Sequence, residues 1–385
     1  AIGSDIMMAL DQCVPAAVDE ATARAALDIG LAAAAGDGPV DGAVMGATGV
    51  MLLCHVLGRR DDVGPVAETV APLVARARPE AAVAWRWLGV LDDNWRASWP
   101  GPEPPIGPDD LAGEVSLFNQ LWALWVSALS AAGAGGYLGA LHQLGHVVAV
   151  AEQTGEVQAR VRALNTLGWI HHDLGDPAGA MDWNRACLEQ LAPLEFPAIR
   201  KIEANARLNL ADDHALVGDL DRAEAELARV GAVVRAPAPE DRWMLWRYSQ
   251  HYLCSLGEVR LAQGRADEAL AAADECLPRA EHTESRKYVV RARRLRGRAL
   301  DRLGEAGQAT DGLAESLALA RRIGNPPQLW RCLAALAEQG GPDAGRHRAE
   351  AIATIDAVAA GLGDHPLGRT LLRSRERAAL VDGES

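Results

Sequence analysis

Asn165-Thr-Leu-Gly-Trp-Ile-His-His-Asp-Leu-Gly175-Asp-Pro-Ala-Gly-Ala180 decides the reading of this chain, because it ends on a spacing that returns. A glycine is followed five residues later by an alanine at Gly135/Ala140, Gly175/Ala180, Gly218/Ala223, Gly264/Ala269 and Gly304/Ala309, once every 40 to 46 residues. Each glycine closes one apolar helix and each alanine lies inside the next. Glycine ends a helix because it tolerates the left-handed backbone, and a small alanine lets the second helix approach the first closely. One such pair cannot bury its own apolar face, so successive pairs must stack and share a core. The spacing therefore predicts a helical solenoid.

Working outward from each glycine brings out a second register. Leu167-Gly168 lies seven residues before Gly175, Leu256-Gly257 seven before Gly264, and Gly297 seven before Gly304, while Ala211 fills that slot before Gly218. Trp330-x2-Leu333-Ala334 and Trp85-x2-Leu88-Gly89 read as further first helices. Over roughly residues 115 to 340 this resembles the tetratricopeptide-repeat (TPR) family, with a period longer than the usual 34 residues. The resemblance implies an all-α, TPR-like right-handed solenoid of stacked antiparallel helix pairs.

Composition agrees. The 385 residues are too many for one compact core and suit an elongated array. Apolar residues make up 49% and aromatics 4%, alanine is everywhere, and β-branched alternation is nearly missing, which favours helix over strand. A net charge of −14 opposes direct nucleic-acid binding, which needs a positive face. Cysteines at 13, 54, 187, 254, 276 and 332 show no metal-ligand or disulfide spacing, so free thiols in a reducing cytoplasm are expected. No basic segment followed by an apolar core opens the chain, so no signal peptide is expected.

Val115 to Ala151 holds no Asp, Glu, Lys or Arg, which raises a membrane span. Asn119, Gln120, His142, Gln143 and His146 interrupt it and Gly133 to Gly136 divides it, so a buried repeat is expected instead. Five prolines between Pro100 and Pro108 cannot run as helix. They predict a linker over 100–111 between divergent helical repeats at 1–99 and the regular array at 112–385, which ends in capping helices. In the first part the pattern predicts helices over 6–34, 41–57, 62–77 and 80–99.

Few strings suggest chemistry. His142-Gln-Leu-Gly-His146 differs from the zinc-protease motif at the general base, which is Gln143 here, and it falls in a second helix where packing is expected. His171-His172-Asp173 and Asp212-Asp213-His214 sit near first-helix ends, where capping is the ordinary role. Neither a phosphate-binding glycine-lysine loop nor a G-x-S-x-G nucleophile elbow is present. No metal site and no cofactor are predicted.

The TPR resemblance implies instead that the first helices wall a concave groove. Carried over residue by residue, that wall holds Trp122, Trp125 and Leu129, then Arg162, Asn165, Trp169, His172 and Asp173. Asn205, Leu208, Asp212, Ala215 and Leu216 follow, then His251, Cys254, Glu258 and Leu261, and finally Arg291, Arg294, Arg298, Asp301 and Arg302. From these the ligand-binding candidates are Trp122, Trp125, Arg162, Asn165, Trp169, His172, Asp173, Asp212, His251, Glu258, Arg291, Arg294 and Arg298. The arginines recur at helical spacing opposite Ala292, Leu295, Ala299 and Leu303, as an exposed cationic stripe would, with Lys287 at its head. Such a stripe would select an anionic segment of a partner, and charge reversal at Arg294 should leave the fold within about 0.5 kcal/mol.

The runs Ala306 to Pro326, Gln328 to Ala337 and Ala351 to Arg369 also resemble the repeat region of large bacterial signal-transduction ATPases, among them the maltose-regulator class of transcription activators and cyclase-linked ATPases. Neither their ATPase nor their DNA-binding module is present in this chain. The resemblance implies a regulatory sensor or scaffold. Three readings follow: a peptide- or protein-binding module, with a homodimer as one arrangement; a sensor closing its Trp-lined sector around a small inducer; and an enzyme working with His172, Asp173, Asp212, His251 or Glu258.

Overall fold

In a computed structural model the described residues are 40–383 without 60–62, 112 and 195–197, together with Asp28 and Ala32. All regular structure among them is helical. In chain order the α-helices are α1 (Asp41–Leu57), α2 (Val63–Val74), α3 (Pro79–Arg96), α4 (Leu117–Gly133), α5 (Tyr137–Thr154), α6 (Val157–Asp173), α7 (Pro177–Leu191), α8 (Ala198–Val217) and α9 (Leu220–Arg235). They continue as α10 (Leu245–Ala262), α11 (Ala266–His282), α12 (Arg286–Arg302), α13 (Ala306–Ile323), α14 (Pro326–Gln339), α15 (Ala344–Gly361), α16 (Pro366–Leu372) and α17 (Arg375–Asp382). Consecutive helices pack against one another, and first helices also touch the next first helix, as in α6 with α8 and α10 with α12. This is the expected TPR-like solenoid of stacked pairs. The helix expected over 6–34 lies outside the described residues, except for Asp28 and Ala32.

The repeating glycines show why the spacing works. Gly135, Gly175, Gly218, Gly264 and Gly304 all have φ between +71° and +90°, where a side chain is strained. Their partners Ala140, Ala180, Ala223, Ala269 and Ala309 are fully buried. The upstream glycines act differently, through close approach: a Cβ at Gly257 would lie 2.3 Å from Leu295 Cδ2 and one at Gly297 2.6 Å from Leu313 Cγ. One apolar core runs from Val44 in α1 to Leu380 in α17.

The proline-rich segment is anchored along its length. Ile106 is buried, its N–H donates to Ser127 Oγ at 2.8 Å, and its carbonyl accepts from Gln143 Nε2 at 2.7 Å. Arg86 donates to the Pro105 carbonyl at 2.6 Å and pairs with Asp110 at 2.7 Å. Gly136 accommodates this strap, because a Cβ there would fall 1.6 Å from the Pro102 carbonyl oxygen. Gly136→Ala should therefore cost about 1–3 kcal/mol in urea unfolding. Gly145→Ala, on the same helix with nothing near its added Cβ, should stabilise by about 0.5–1 kcal/mol. Equal effects would contradict the packing argument.

The uncharged stretch is packed as expected: α4 is buried along most of its length. No described helix is long and apolar enough to cross a membrane. Of the His142-to-His146 string Gln143 and Leu144 are buried, whereas both histidines, expected to pack, face outward. The reason is phase: on α5 position 143 turns toward the strap carbonyl of Ile106, and positions 142 and 146 turn away from it.

Long-range ties bend the array back upon itself. Asn325 Nδ2 donates to the Gly133 carbonyl at 2.6 Å, Arg375 to the Leu216 carbonyl at 3.2 Å, and Trp246 Nε1 to the His55 carbonyl at 2.7 Å. The starts of α14, α17 and α10 thus meet the ends of α4, α8 and α1, and a cavity is left on the concave side.

Candidate functional site

The cavity has a volume of about 800 Å³ and is half-enclosed. One face of each successive first helix lines it: Trp125 and Leu129 from α4, then Asn165, Trp169 and His172 from α6, and Asn205, Asn209 and Asp212 from α8. Arg247, His251 and Glu258 follow from α10, Lys287, Arg291, Arg294 and Arg298 from α12, and Gln328 and Arg331 from α14. Trp95 and Trp99, at the end of α3 and just beyond it, and Arg375 and Glu376 of α17 complete the wall. Positions within one helix step by three or four, so each presents a single stripe to the space.

Eleven of the candidates come together here: Trp125, Asn165, Trp169, His172, Asp173, Asp212, His251, Glu258, Arg291, Arg294 and Arg298. Trp122 and Arg162 stand behind the wall. Trp122 is stacked among Trp87, Phe118 and Trp125 at ring separations of 5.2 to 5.4 Å, and the Arg162 guanidinium sits 4.4 Å from its ring centre. Leu208 and Cys254 belong to the core as well, Cys254 with its sulfur 3.6 Å from that of Cys276. The described cysteines are all free and buried, and no described cluster of three or more His, Cys, Asp or Glu is arranged to hold a metal ion.

The arginine stripe differs from the exposed face expected of it. Arg294 is 5% exposed, donates to Gln328 Oε1 at 2.8 Å and pairs with Glu258 at 3.5 Å. Arg298 pairs with the other oxygen of Glu258 at 2.6 Å, and Arg291 reaches Asp212 at 3.3 Å. Three cations therefore share two carboxylates inside the wall, because curvature of the solenoid turns this face of α12 toward α8, α10 and α14. Burial pushes the Asp212 carboxyl upward, but Arg291 and the hydrogen bond from His251 at 3.0 Å outweigh it and hold the group well below the usual range. Glu258 is likewise lifted by burial and lowered further by Arg298, Arg294 and Arg291.

A second charged knot ties the cavity rim. Arg331 pairs with Asp173 at 3.1 Å and Glu376 at 2.7 Å, and Trp330 Nε1 donates to Glu376 at 3.2 Å. His172 Nδ1 meets Asp213 at 2.7 Å; burial lowers the imidazole pKa, and the bond to Asp213 more than restores it.

Amide side chains occupy the middle of the wall. Asn165 and Asn209 each donate to Asn184 Oδ1 at 3.1 Å, which leaves their own carbonyl oxygens for the cavity. Asn205, one turn from Asn209, makes no side-chain hydrogen bond to a described residue.

Sequence reasoning passed over Trp95, Trp99, Arg247, Tyr288, Gln328, Arg331 and Glu376. For Arg247 a signal was nevertheless there. Lys287 precedes Arg291, and Arg247 precedes His251, by four residues, so the same helical stripe extends one turn toward the N-terminus. The α17 residues carry no such signal, since they arrive from outside the repeat.

No family model matches this chain, and no curated protein matches it. Solved structures do. A Rap protein complexed with competence and sporulation factor superposes with a TM-score of 0.53 at 10% identity, over 89% of this chain and 98% of that one. The apo quorum sensor NprR from B. thuringiensis follows with a TM-score of 0.47 at 14% identity, over 89% of this chain and 99% of its own. At such identities the likeness concerns the fold: a TPR-like helical array of nearly the same extent.

Proposed function

We propose that this chain is a regulatory scaffold that holds a short peptide in its concave cavity. The observation that carries the reading is the row of Asn165, Asn205 and Asn209 between aromatic faces and charged groups. A side-chain amide carries a carbonyl acceptor and two N–H donors on one carbon, so that Asn165 and Asn209, after giving one N–H to Asn184, keep a donor and an acceptor, the pair that a peptide unit of a bound main chain needs. Trp95, Trp99, Trp125 and Trp169 give apolar side chains a surface to cover. A volume of about 800 Å³ lies near the top of the range for enclosed small ligands and is too small for a folded partner. The Rap protein of similar fold carries competence and sporulation factor, which is consistent with a bound regulatory ligand.

The regulatory setting, bacterial and cytoplasmic as in the signal-transduction ATPases that 306–369 resembles, belongs to the same proposal. The enzyme reading needs a carboxylate poised near neutrality beside a histidine. Asp212 and Glu258 are instead held below the usual carboxylate range by arginines; burial does raise Asp213 beside His172, but Asp213 is fully buried behind the imidazole and does not line the cavity.

Passing a random heptapeptide library over the immobilised full chain tests the proposal. Retained peptides should change the tryptophan emission of the chain. Asn205→Leu should weaken them by about 1–3 kcal/mol, the cost of an amide pair left unmet, while the melting temperature stays near that of the wild type. Retention of no peptide, with a thermal shift from a panel of small metabolites or oligosaccharides, would favour the inducer sensor instead.

A further inference from the structure

Four of the arginines facing the cavity have a carboxylate from their own chain. Arg291 has Asp212, Arg294 and Arg298 have Glu258, and Arg331 has Asp173 and Glu376. Of the lining cations without one, Arg302 and Arg375 are exposed to solvent and Arg348 stands on α15, whereas two, Arg247 and Lys287, are partly buried on the first-helix wall itself. Arg247, in the first turn of α10, and Lys287, in the first turn of α12, make no side-chain hydrogen bond or ion pair to a described residue.

Both stand on aromatic rings instead. The Lys287 ammonium is 4.1 Å from the Trp169 ring centre, and the Arg247 guanidinium is 5.4 Å from that of Tyr288, the residue next to Lys287. Rings hold a cation in place but leave its charge uncompensated. A partly buried cation without a counter-charge is costly, and the chain has met that cost at Arg291, Arg294, Arg298 and Arg331. Desolvation, set only partly against Asp173, lowers the Lys287 pKa to about 8, so the ammonium is still charged at neutral pH. The first turns of two α-helices add the positive ends of their dipoles at the same place.

We infer that Arg247 and Lys287 form an anion subsite for a carboxylate of the bound peptide, an acidic side chain or the free C-terminus, with the adjoining peptide residue lying on Trp169. This rests on the peptide reading above and adds to it the chemistry of one ligand group. The cationic sector expected of Arg291, Arg294 and Arg298 is thereby moved one helical turn, from arginines engaged internally to the two cations that are not.

Two heptapeptide libraries distinguish the possibilities, one containing Asp and Glu with free C-termini, the other lacking both residues and C-terminally amidated. The probe proteins are the full-length wild type, Lys287→Met, Arg247→Gln and the double variant, each checked for folding by circular dichroism. The expected result is retention of acidic peptides by the wild type, weakened roughly tenfold or more in either single variant, with neutral peptides bound equally by all four proteins. Equal retention of both libraries by the wild type would overturn the subsite and leave the peptide reading standing. Retention of neither library would overturn the peptide reading, and the subsite is then decided by citrate, followed by tryptophan fluorescence. A saturable change in the wild type that vanishes in the double variant sustains an anion site at these residues, and no change, or one equal in both proteins, removes it.

Discussion

Arg294→Glu is expected to destabilise the protein by about 3–5 kcal/mol, the cost of breaking a buried ion pair from one side. Arg294 is 5% exposed and divides its guanidinium between Gln328 Oε1 and Glu258. A glutamate there would face Glu258 across the cavity wall, with only Arg298 left beside the two carboxylates and Arg291 already engaged by Asp212. Arg294→Met should cost less, because it removes the attraction without adding a like charge. Urea unfolding of the three proteins by far-UV circular dichroism measures the difference. A charge-reversed variant within about 0.5 kcal/mol of the wild type would show that α12 presents an exposed stripe after all.

Arg331→Met should be of similar size, about 3–5 kcal/mol, for a related reason. Asp173 is 1% exposed and Arg331 is its ion-pair partner, so the substitution strands a carboxylate in the interior. Arg331 also holds Glu376, and through it α17, over the end of α6. Hydrogen exchange over 375–382 should accelerate in the variant, while exchange in α2, which packs on α1 and α3, should change little. Adding Asp173→Asn should recover a part of the loss, because a neutral amide is cheaper to bury than an unpaired charge. Failure of the second substitution to recover any stability would mean that the charge of Asp173 is not what Arg331 answers.

The TPR-like class was legible in this sequence because its determinants are local. A helix must end where Gly175 or Gly264 takes positive φ, and Ala180 or Ala269 must be small because the preceding helix passes over it; both needs are expressed within a few residues. The cavity stripe was legible for the same reason. A helical face recurs every three or four residues, so once Trp169 or Arg291 is placed on the wall, its neighbours a turn away follow.

Only the tertiary structure decided which of these residues remain available to a ligand. Arg291 finds Asp212 79 positions away, Arg331 finds Asp173 158 away, and Asn325 reaches Gly133 across 192 residues. Such pairings depend on the rotation accumulated from one helix pair to the next, which closes the solenoid around its own concave face. No spacing along the chain encodes that angle, because it is the sum of many small packing choices between helices. The same closure placed Trp122 and Arg162 behind the wall, brought α17 across the rim, and left Arg247 and Lys287 facing the cavity without a carboxylate of their own.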